Sequence, residues 1–277
     1  MHSHPEAADT LIIDAQLYDG TGAPPVERDV AVRDGKIVAI GNLSNWLAEE
    51  IVEANGRALA PGFIDVHTHD DTHVIRAPQM LPKISQGVTT VIVGNCGISA
   101  SPVALKGDPP DPMNLLGGRD AFNYPTFAAY VEAVNAARPA VNVGALIGHT
   151  ALRNNQMDRL DRAATAQEIE GMRAQLEEAL KHGALGLSSG LAYGSAFAAP
   201  TEEVMALAEP LAAAGALYTT HMRSEFDTIL DAMEEAYQVG RHARVPVVIS
   251  HLKCAGPSNW GRSAEVLKSL EIGRAHV

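Results

Sequence analysis

The sequence predicts an α/β fold: a TIM-like (β/α)8 barrel, of which about six units lie within the chain, preceded by a small domain of short β-strands. Short apolar runs alternate with helical stretches from residue 62 onward, which is typical of parallel strands joined by crossover helices. Before residue 62 the chain has only short strand-like runs separated by turns. A doubly wound open sheet is the structural alternative, but no glycine-rich phosphate loop follows the first parallel strand.

Residues 1–61 are predicted to form a small N-terminal β-domain. Two runs, LIIDAQLYDG and DVAVRDGKIVAIG, have the composition of short strands. The tetrapeptide RDGK within the second run is typical of a tight β-hairpin turn. We therefore expect antiparallel pairing in this part of the chain.

Residues 62–271 are predicted to be the partial barrel. Its strands are predicted at residues 63–69, 88–96, 141–149, 184–190, 216–222 and 245–251. Helices are predicted between them at residues 165–183, 201–215 and 225–242. The first two of these helices begin with Thr and end with Gly, which are common capping residues. A stretch rich in Pro, Gly and Asp at residues 101–125 predicts a long loop over one face.

Composition excludes several classes of function for the 277 residues of the chain. The net charge of −12 and the lack of a basic cluster argue against a nucleic-acid partner. No apolar run is long enough to span a bilayer, so we expect no membrane partner, and the N-terminus lacks the pattern of an export signal. We therefore expect a cytoplasmic protein whose two cysteines, Cys96 and Cys254, are reduced. Cys254 is interpreted as structural.

Potential metal ligands recur where the predicted strands end: His67 and His69, Cys96, His221 and His251. The carboxyl ends of parallel barrel strands lie on one face, so these side chains should converge although they are far apart in sequence. Each of them alone would have an ordinary structural explanation, but their repetition at matched positions predicts a metal site. Imidazole nitrogen and thiolate sulfur suit zinc.

The number of ligands leaves the number of ions open. Four histidines and a cysteine exceed what one tetrahedral ion with an open position requires, so a second ion bridged by the thiolate is a fair hypothesis. The predicted strand ALGLSSG offers no lysine or carboxylate that could bridge instead. His149 also follows an apolar run, and a site-lining role and a structural role remain equally open for it.

The chain resembles the N-acyl-D-amino-acid deacylase (D-aminoacylase) family of the amidohydrolase superfamily from about residue 9 to residue 271. The resemblance rests on five separated motifs: PGFIDVHTHDD, GVTTVIVGNCGISASP, GALGLSSGLAY, LYTTHMRSE and VVISHLKCAG. It implies a metal-bearing barrel beside a small β-sandwich domain, of which residues 1–61 would be the N-terminal part. It also implies hydrolysis of the amide of small-molecule N-acyl-D-amino acids to a carboxylate and a free D-amino acid. The preferred side chain and the oligomeric state are not readable from the sequence.

The resemblance also implies roles for individual residues. His67 and His69 match a pair that holds one ion, while Cys96, His221 and His251 match the set that holds a more tightly bound ion. Tyr193 and Lys253 match positions that line the substrate pocket. We expect Tyr193 to donate a hydrogen bond to the developing oxyanion and Lys253 to contact the α-carboxylate of the substrate. Arg223 is predicted to contact an anion or to support the site, with a surface role as the alternative.

The family's general base is an aspartate at the end of the eighth strand, and no residue of this chain matches it. The nearby Asp65, Asp70 and Asp71 are not assigned that role. The family pattern stops near residue 271, and we interpret IGRAHV, residues 272–277, as a non-native tail translated from a sequencing adapter. On this interpretation the chain is a fragment that lacks activity by itself, and the function belongs to a longer parent protein.

Two other functions are considered. The first is hydrolysis of a cyclic amide by another amidohydrolase, such as a hydantoinase- or dihydroorotase-like enzyme. Those enzymes usually bridge their metals with a modified lysine from the fourth strand, and ALGLSSG contains no lysine. The second is an inactive metal-binding scaffold, which the full set of ligand residues disfavours.

Overall fold

The structure is a computed structural model that describes residues 6–274. The chain forms two compact units that divide between Phe63 and Ile64. Among the described residues, no helix combines the length and apolar character needed to cross a bilayer.

The N-terminal unit is built on one mixed β-sheet. Its strands are β1 (Ala7–Leu17), β2 (Val26–Arg33), β3 (Lys36–Gly41), β4 (Leu47–Glu53) and β5 (Ala58–Leu59). The order is β3-β2-β1-β4, with β5 pairing with the end of β1. The predicted hairpin is confirmed, because β2 and β3 pair antiparallel around Asp34 and Gly35, both of which have positive φ angles. A second sheet completing a sandwich stays a prediction.

The second unit contains short parallel strands arranged in two sheets. The strands are β6 (Phe63–Asp65), which begins at the unit boundary, β7 (Val88–Val93), β8 (Asn142–Ala145), β9 (Ile147–Gly148), β10 (Gly186–Gly190), β11 (Leu217–His221) and β12 (Val247–Ile249). One sheet has the order β6-β7-β8 and the other β12-β11-β10-β9. The third predicted strand is thus split at Leu146, whose N–H donates to the carbonyl of Val93 at 3.0 Å.

Helices follow the strands along the chain, as the alternating pattern predicts. They are α1 (His73–Arg76), α2 (Leu81–Ile84), α3 (Phe127–Ala137), α4 (His149–Gln156), α5 (Ala166–Lys181), α6 (Thr201–Ala208), α7 (Ile229–Ala243) and α8 (Ser263–Arg274). Short 3-10 helices cover Met113–Leu116, Arg119–Ala121, Glu209–Ala214 and Pro257–Asn259. The predicted tail at residues 272–277 begins inside α8, and its residues 275–277 lie outside the described part.

One helix cap, at α6, and one helix start, at α7, differ from the sequence prediction. Thr165 caps α5 as expected, through a capping box with Glu168. Thr201 does not cap α6: Pro200 precedes the helix, and the Thr201 hydroxyl donates to Glu235 at 2.8 Å. Helix α7 begins at Ile229 rather than at residue 225, because the carbonyl of Glu225 accepts from the N–H of Ala255, outside the helix, at 2.7 Å.

The main core lies between the strands and the helices that cover them. Ile147, Leu187 and Tyr218, on neighbouring strands, are all fully buried. Apolar side chains of the long loop at residues 101–125, among them Met113, form a smaller cluster with Ala151 of α4. This loop is therefore an ordered cover and not a loose connection.

A buried ionic network joins α4 to α6. The carboxylate of Glu203 accepts from the guanidinium of Arg153, from His149 Nε2 at 2.9 Å and from the N–H of Ala164 at 2.9 Å. The side chains of Glu203, Arg153 and His149 are fully buried. Burial alone would raise the pKa of Glu203, but these hydrogen bonds hold that pKa below its ordinary value. Glu203 therefore carries the charge that compensates Arg153.

Replacing Glu203 with Gln should destabilise the chain severely. Glu203→Gln keeps the shape of the side chain but leaves the Arg153 cation buried without a counter-charge, so we expect the free energy of unfolding to fall by about 3–5 kcal/mol. The measurement is chemical denaturation followed by circular dichroism. Glu202→Gln is the matched control, because Glu202 is the exposed neighbour of Glu203 on α6. Equal stability of the two variants would contradict this role.

Candidate metal centre

His67 and His69 do not lie in a strand, contrary to the strand predicted at residues 63–69. Strand β6 ends at Asp65, and both histidines lie in the irregular segment that follows. That segment still runs beside β7, because the N–H and the hydroxyl of Thr68 both donate to the carbonyl of Ile92 at 3.1 Å. The prediction of a strand through His69 is therefore wrong, although these bonds keep the two imidazoles near the end of β7.

Cys96 lies in a tight turn beyond β7, in the motif VGNCGIS. Its φ angle of 55° is in the left-handed region, and Gly94 and Gly97 on either side have φ angles of 79° and 76°. A Cβ at Gly94 would lie 2.1 Å from the carbonyl oxygen of Leu146, and one at Gly97 would lie 2.6 Å from the N atom of Gly190. The two glycines thus let the turn pack directly against the backbone beside β9 and β10.

His221 and His251 reach the same place from β11 and β12. His221 is the last residue of β11, and His251 follows β12 with a φ angle of 38°. Non-glycine residues with positive φ cost about 1–3 kcal/mol each and cluster at functional sites. Two of the five predicted ligands, Cys96 and His251, carry this strain.

The structure brings all five predicted ligands together around the Cys96 sulfur. Cys96 Sγ lies 3.2 Å from His67 Nε2 and 3.6 Å from His251 Nε2. One ligand atom each from His67, His69 and Cys96 lie within 4.8 Å of one another, and the same holds for Cys96, His221 and His251. Two adjacent groups of potential ligands therefore share one sulfur atom.

Burial sets the protonation of these groups. It lowers the pKa of His67 and of His221 to about 4 each, aided by the nearby His251, and it also lowers the pKa of His69. Burial, together with the charge of Glu225, raises the pKa of the Cys96 thiol to about 12. The three imidazoles are thus neutral at pH 7, which is the form that binds metals.

The donor set fits a borderline-soft transition-metal ion. Nitrogen and sulfur donors from Cys96 and the four histidines suit zinc better than they suit calcium or magnesium, which prefer oxygen. His69 Nδ1 is buried and has no hydrogen-bond partner among the described residues. Four half-buried imidazoles around a buried thiol are a costly arrangement, and a bound cation accounts for it.

Tyr193 lies at the edge of this cluster, just beyond β10. Its hydroxyl is 3.1 Å from His221 Nδ1, and its ring centroid is 4.6 Å from that of His221. Burial raises the pKa of Tyr193 to about 12, so the phenol keeps its proton at neutral pH. It is therefore a hydrogen-bond donor next to the predicted ligands.

Lys253 and Glu225 form a second layer around His251. Glu225 Oε1 is 2.8 Å from His251 Nδ1, and Glu225 Oε2 accepts from the ammonium of Lys253. The Lys253 side chain is 54% exposed and that of Glu225 only 8%. The sequence prediction places Glu225 at the start of a helix and gives it no role in the site. Its place in the motif LYTTHMRSE, just after a ligand-bearing strand, was the available signal.

Arg223 is occupied by protein groups. It pairs with Glu235 at 2.7 and 2.9 Å, and it donates to the carbonyls of Phe197 at 2.8 Å and Ala199 at 2.9 Å. Phe197 and Ala199 belong to the loop that carries Tyr193. The geometry therefore favours a supporting role over contact with a substrate anion.

The other polar candidates have structural partners. His149 is fully buried beside Glu203, which favours its structural role over the lining of the site. Asp65 and Asp70 both pair with Lys83, at 2.8 and 3.1 Å. Asp71 is fully buried and accepts from the backbone N–H of Ala100, and Cys254 packs against a small apolar cluster. Asp65 and Asp70 are thus held in ion pairs, whereas Oδ2 of Asp71 has no hydrogen-bond partner among the described residues, and burial raises the pKa of Asp71 to about 7.

Comparisons with known proteins show to which family the chain belongs. Residues 50–272 match the model of the amidohydrolase family. The chain is 49% identical over 272 residues to an N-acyl-D-aspartate deacylase of Alcaligenes xylosoxydans xylosoxydans, covering 98% of this chain and 54% of that protein.

Two solved structures are similar. A D-aminoacylase described with a binuclear metal centre has a TM-score of 0.94 at 45% identity, covering 97% of this chain and 56% of its own. An N-acyl-D-glutamate deacylase from Bordetella bronchiseptica, complexed with zinc and a phosphonate inhibitor, has a TM-score of 0.93 at 42% identity. The match covers 98% of this chain and 56% of the deacylase chain. The chain spans about half the length of the curated relatives it matches. It belongs to the amidohydrolase family.

Proposed function

We propose that the chain is part of a zinc-dependent hydrolase that cleaves the amide bond of N-acyl-D-amino acids, releasing a carboxylate and a D-amino acid. The observation that carries the proposal is the Cys96 sulfur shared between two groups of histidines. The relatives named as deacylases of N-acyl-D-aspartate and N-acyl-D-glutamate support the substrate class. They do not select one D-amino acid, so the side chain and the acyl group are left open in the proposal.

Zinc is the proposed ion, held most tightly by Cys96, His221 and His251. A second ion is proposed at His67 and His69, sharing the same sulfur. A zinc ion supplies an acidified water and polarises a carbonyl group. The neutral imidazoles described above are ready for this role without losing a proton, whereas the Cys96 thiol has to release one.

Tyr193 and Lys253 are the proposed contacts with the substrate. The protonated Tyr193 hydroxyl, next to His221, would donate a hydrogen bond to the oxygen that gains charge as the amide carbonyl is attacked. The half-exposed ammonium of Lys253 would bind the α-carboxylate. Arg223 would act indirectly, by holding the loop that carries Tyr193.

We further propose that the parallel strands are the first six units of a (β/α)8 barrel and that the N-terminal sheet belongs to a small β-sandwich. The general base and the remaining units would then lie outside the given sequence, since the matched relatives are nearly twice as long. Activity would be a property of that whole protein, for which we propose a cytoplasmic location.

A cyclic-amide substrate is the second candidate. Those enzymes usually bridge their metals with a lysine from the fourth strand, and β10 has the sequence GLSSG, which contains no lysine. The Cys96 sulfur, which belongs to both groups of potential ligands, is the proposed bridge instead. The linear amide is therefore preferred.

The whole protein loaded with zinc should hydrolyse N-acetyl-D-amino acids and leave hydantoins intact. A panel of N-acetyl-D-alanine, N-acetyl-D-glutamate and N-acetyl-D-aspartate, with the L-isomers and hydantoin as controls, measures the release of free amino acid. Dialysis against a chelator should abolish the activity and added zinc should restore it. Faster cleavage of hydantoin than of every linear amide would overturn the proposal.

Replacing Lys253 with Met should raise KM and leave kcat nearly unchanged. The lost contact binds the carboxylate equally in the ground state and in the transition state, so only uniform binding is removed. A charge-assisted hydrogen bond contributes about 1.5–3 kcal/mol, so we expect KM to rise roughly 10- to 100-fold. Lys268→Met, at an exposed position on α8, is the matched control. An unchanged KM in Lys253→Met would show that Lys253 does not bind the substrate.

A further inference from the structure

One carboxylate links a predicted metal ligand to the predicted substrate cation. Glu225 Oε1 lies 2.8 Å from His251 Nδ1, while Glu225 Oε2 accepts from Lys253 Nζ. The backbone carbonyl of Glu225 also accepts from the N–H of Ala255 at 2.7 Å. The segments that follow β11 and β12 are thus joined through both the side chain and the main chain of a single residue.

The bond to His251 determines which ring nitrogen faces the metal cluster. Glu225 Oε1, at 2.8 Å, is the nearer partner of Nδ1, since Lys253 Nζ lies 3.3 Å from it. When Nδ1 carries the proton and donates it to Glu225, Nε2 is left as the lone-pair donor, and Nε2 is the atom that lies 3.6 Å from Cys96 Sγ. A carboxylate behind a ligating imidazole fixes the ring and increases the basicity of the ligand nitrogen. Glu225 should therefore strengthen metal binding although it is not a ligand.

The bond to Lys253 has the opposite effect on anion binding. The ammonium that is proposed to receive the substrate carboxylate already contacts a carboxylate of the protein. Because the Glu225 side chain is 8% exposed, water screens it little, and an incoming anion must compete with it for Lys253. Glu225 should therefore weaken the binding of an anion at Lys253.

We propose that Glu225 is a positioning residue with two opposite effects: it strengthens metal binding through His251 and moderates substrate-anion binding at Lys253. The inference rests on the proposed function, because it takes Lys253 as the contact for the substrate carboxylate. It adds to that function one buried carboxylate that contacts both a predicted metal ligand, His251, and the proposed substrate contact, Lys253.

The test is Glu225→Gln in the 277-residue chain, since glutamine keeps the shape and an acceptor oxygen but loses the charge. The dissociation constant of zinc is measured by competition with a chromophoric chelator, and that of N-acetyl-D-alanine by calorimetry on the zinc-loaded chain. We expect the zinc constant to rise about 10- to 100-fold. The constant for N-acetyl-D-alanine should fall several-fold.

Two further variants separate this role from a structural one. Glu168→Gln removes another partly buried ion pair, with Arg162, and should leave the zinc affinity unchanged. Lys253→Met keeps the carboxylate behind His251, so its zinc affinity should be at least that of the original chain, while its affinity for N-acetyl-D-alanine falls. Circular dichroism checks that each variant is folded.

The inference is overturned, wholly or in part, by the following results. An unchanged zinc constant in Glu225→Gln, or weaker binding of both zinc and N-acetyl-D-alanine, would overturn the inference. An unchanged affinity for N-acetyl-D-alanine in Lys253→Met would remove Lys253 from the proposed function and overturn the anion half, while the zinc result still decides the metal half. A chain that binds no zinc at all would refute the proposed function, and the inference with it.

Discussion

The position of the Cys96 sulfur, 3.2 Å from His67 Nε2 and 3.6 Å from His251 Nε2, is the constraint on which the rest of the site depends. It exists because a turn with three left-handed residues, at positions 94, 96 and 97, packs against the backbone beside β9 and β10. Three of the parallel strands position ligands at or just beyond their carboxyl ends: Cys96 follows β7, His221 ends β11 and His251 follows β12.

Buried charge is used in two separate ways in the second unit. Glu203, Arg153 and His149 form a sealed network in which each charge is compensated, and it ties α4 to α6. Glu225 is nearly as buried, but its partners are a predicted metal ligand and a half-exposed lysine. The first network stabilises the fold, whereas the second reaches the part of the site that solvent and substrate can enter.

The sequence was sufficient to predict which residues meet but not how each is held. His67, Cys96, His221 and His251 were found because ligand types repeat where apolar runs end, and the topology of parallel strands then brings them together. The end of β6 at Asp65 was missed, since a backbone that leaves the regular ladder keeps the same apolar pattern. Glu225 and the partners of Arg223 were missed for a different reason, because contacts between segments that are distant in sequence leave no periodic signal.

The most direct test of the central claim is X-ray absorption at the zinc edge of the zinc-loaded chain, compared with Cys96→Ala and with Cys254→Ala as the control. Zinc bound at the shared sulfur should show a sulfur neighbour at about 2.3 Å in the original chain and in Cys254→Ala, and should lose it in Cys96→Ala. A spectrum with only nitrogen and oxygen neighbours in the original chain, or a sulfur neighbour that survives in Cys96→Ala, would contradict the account.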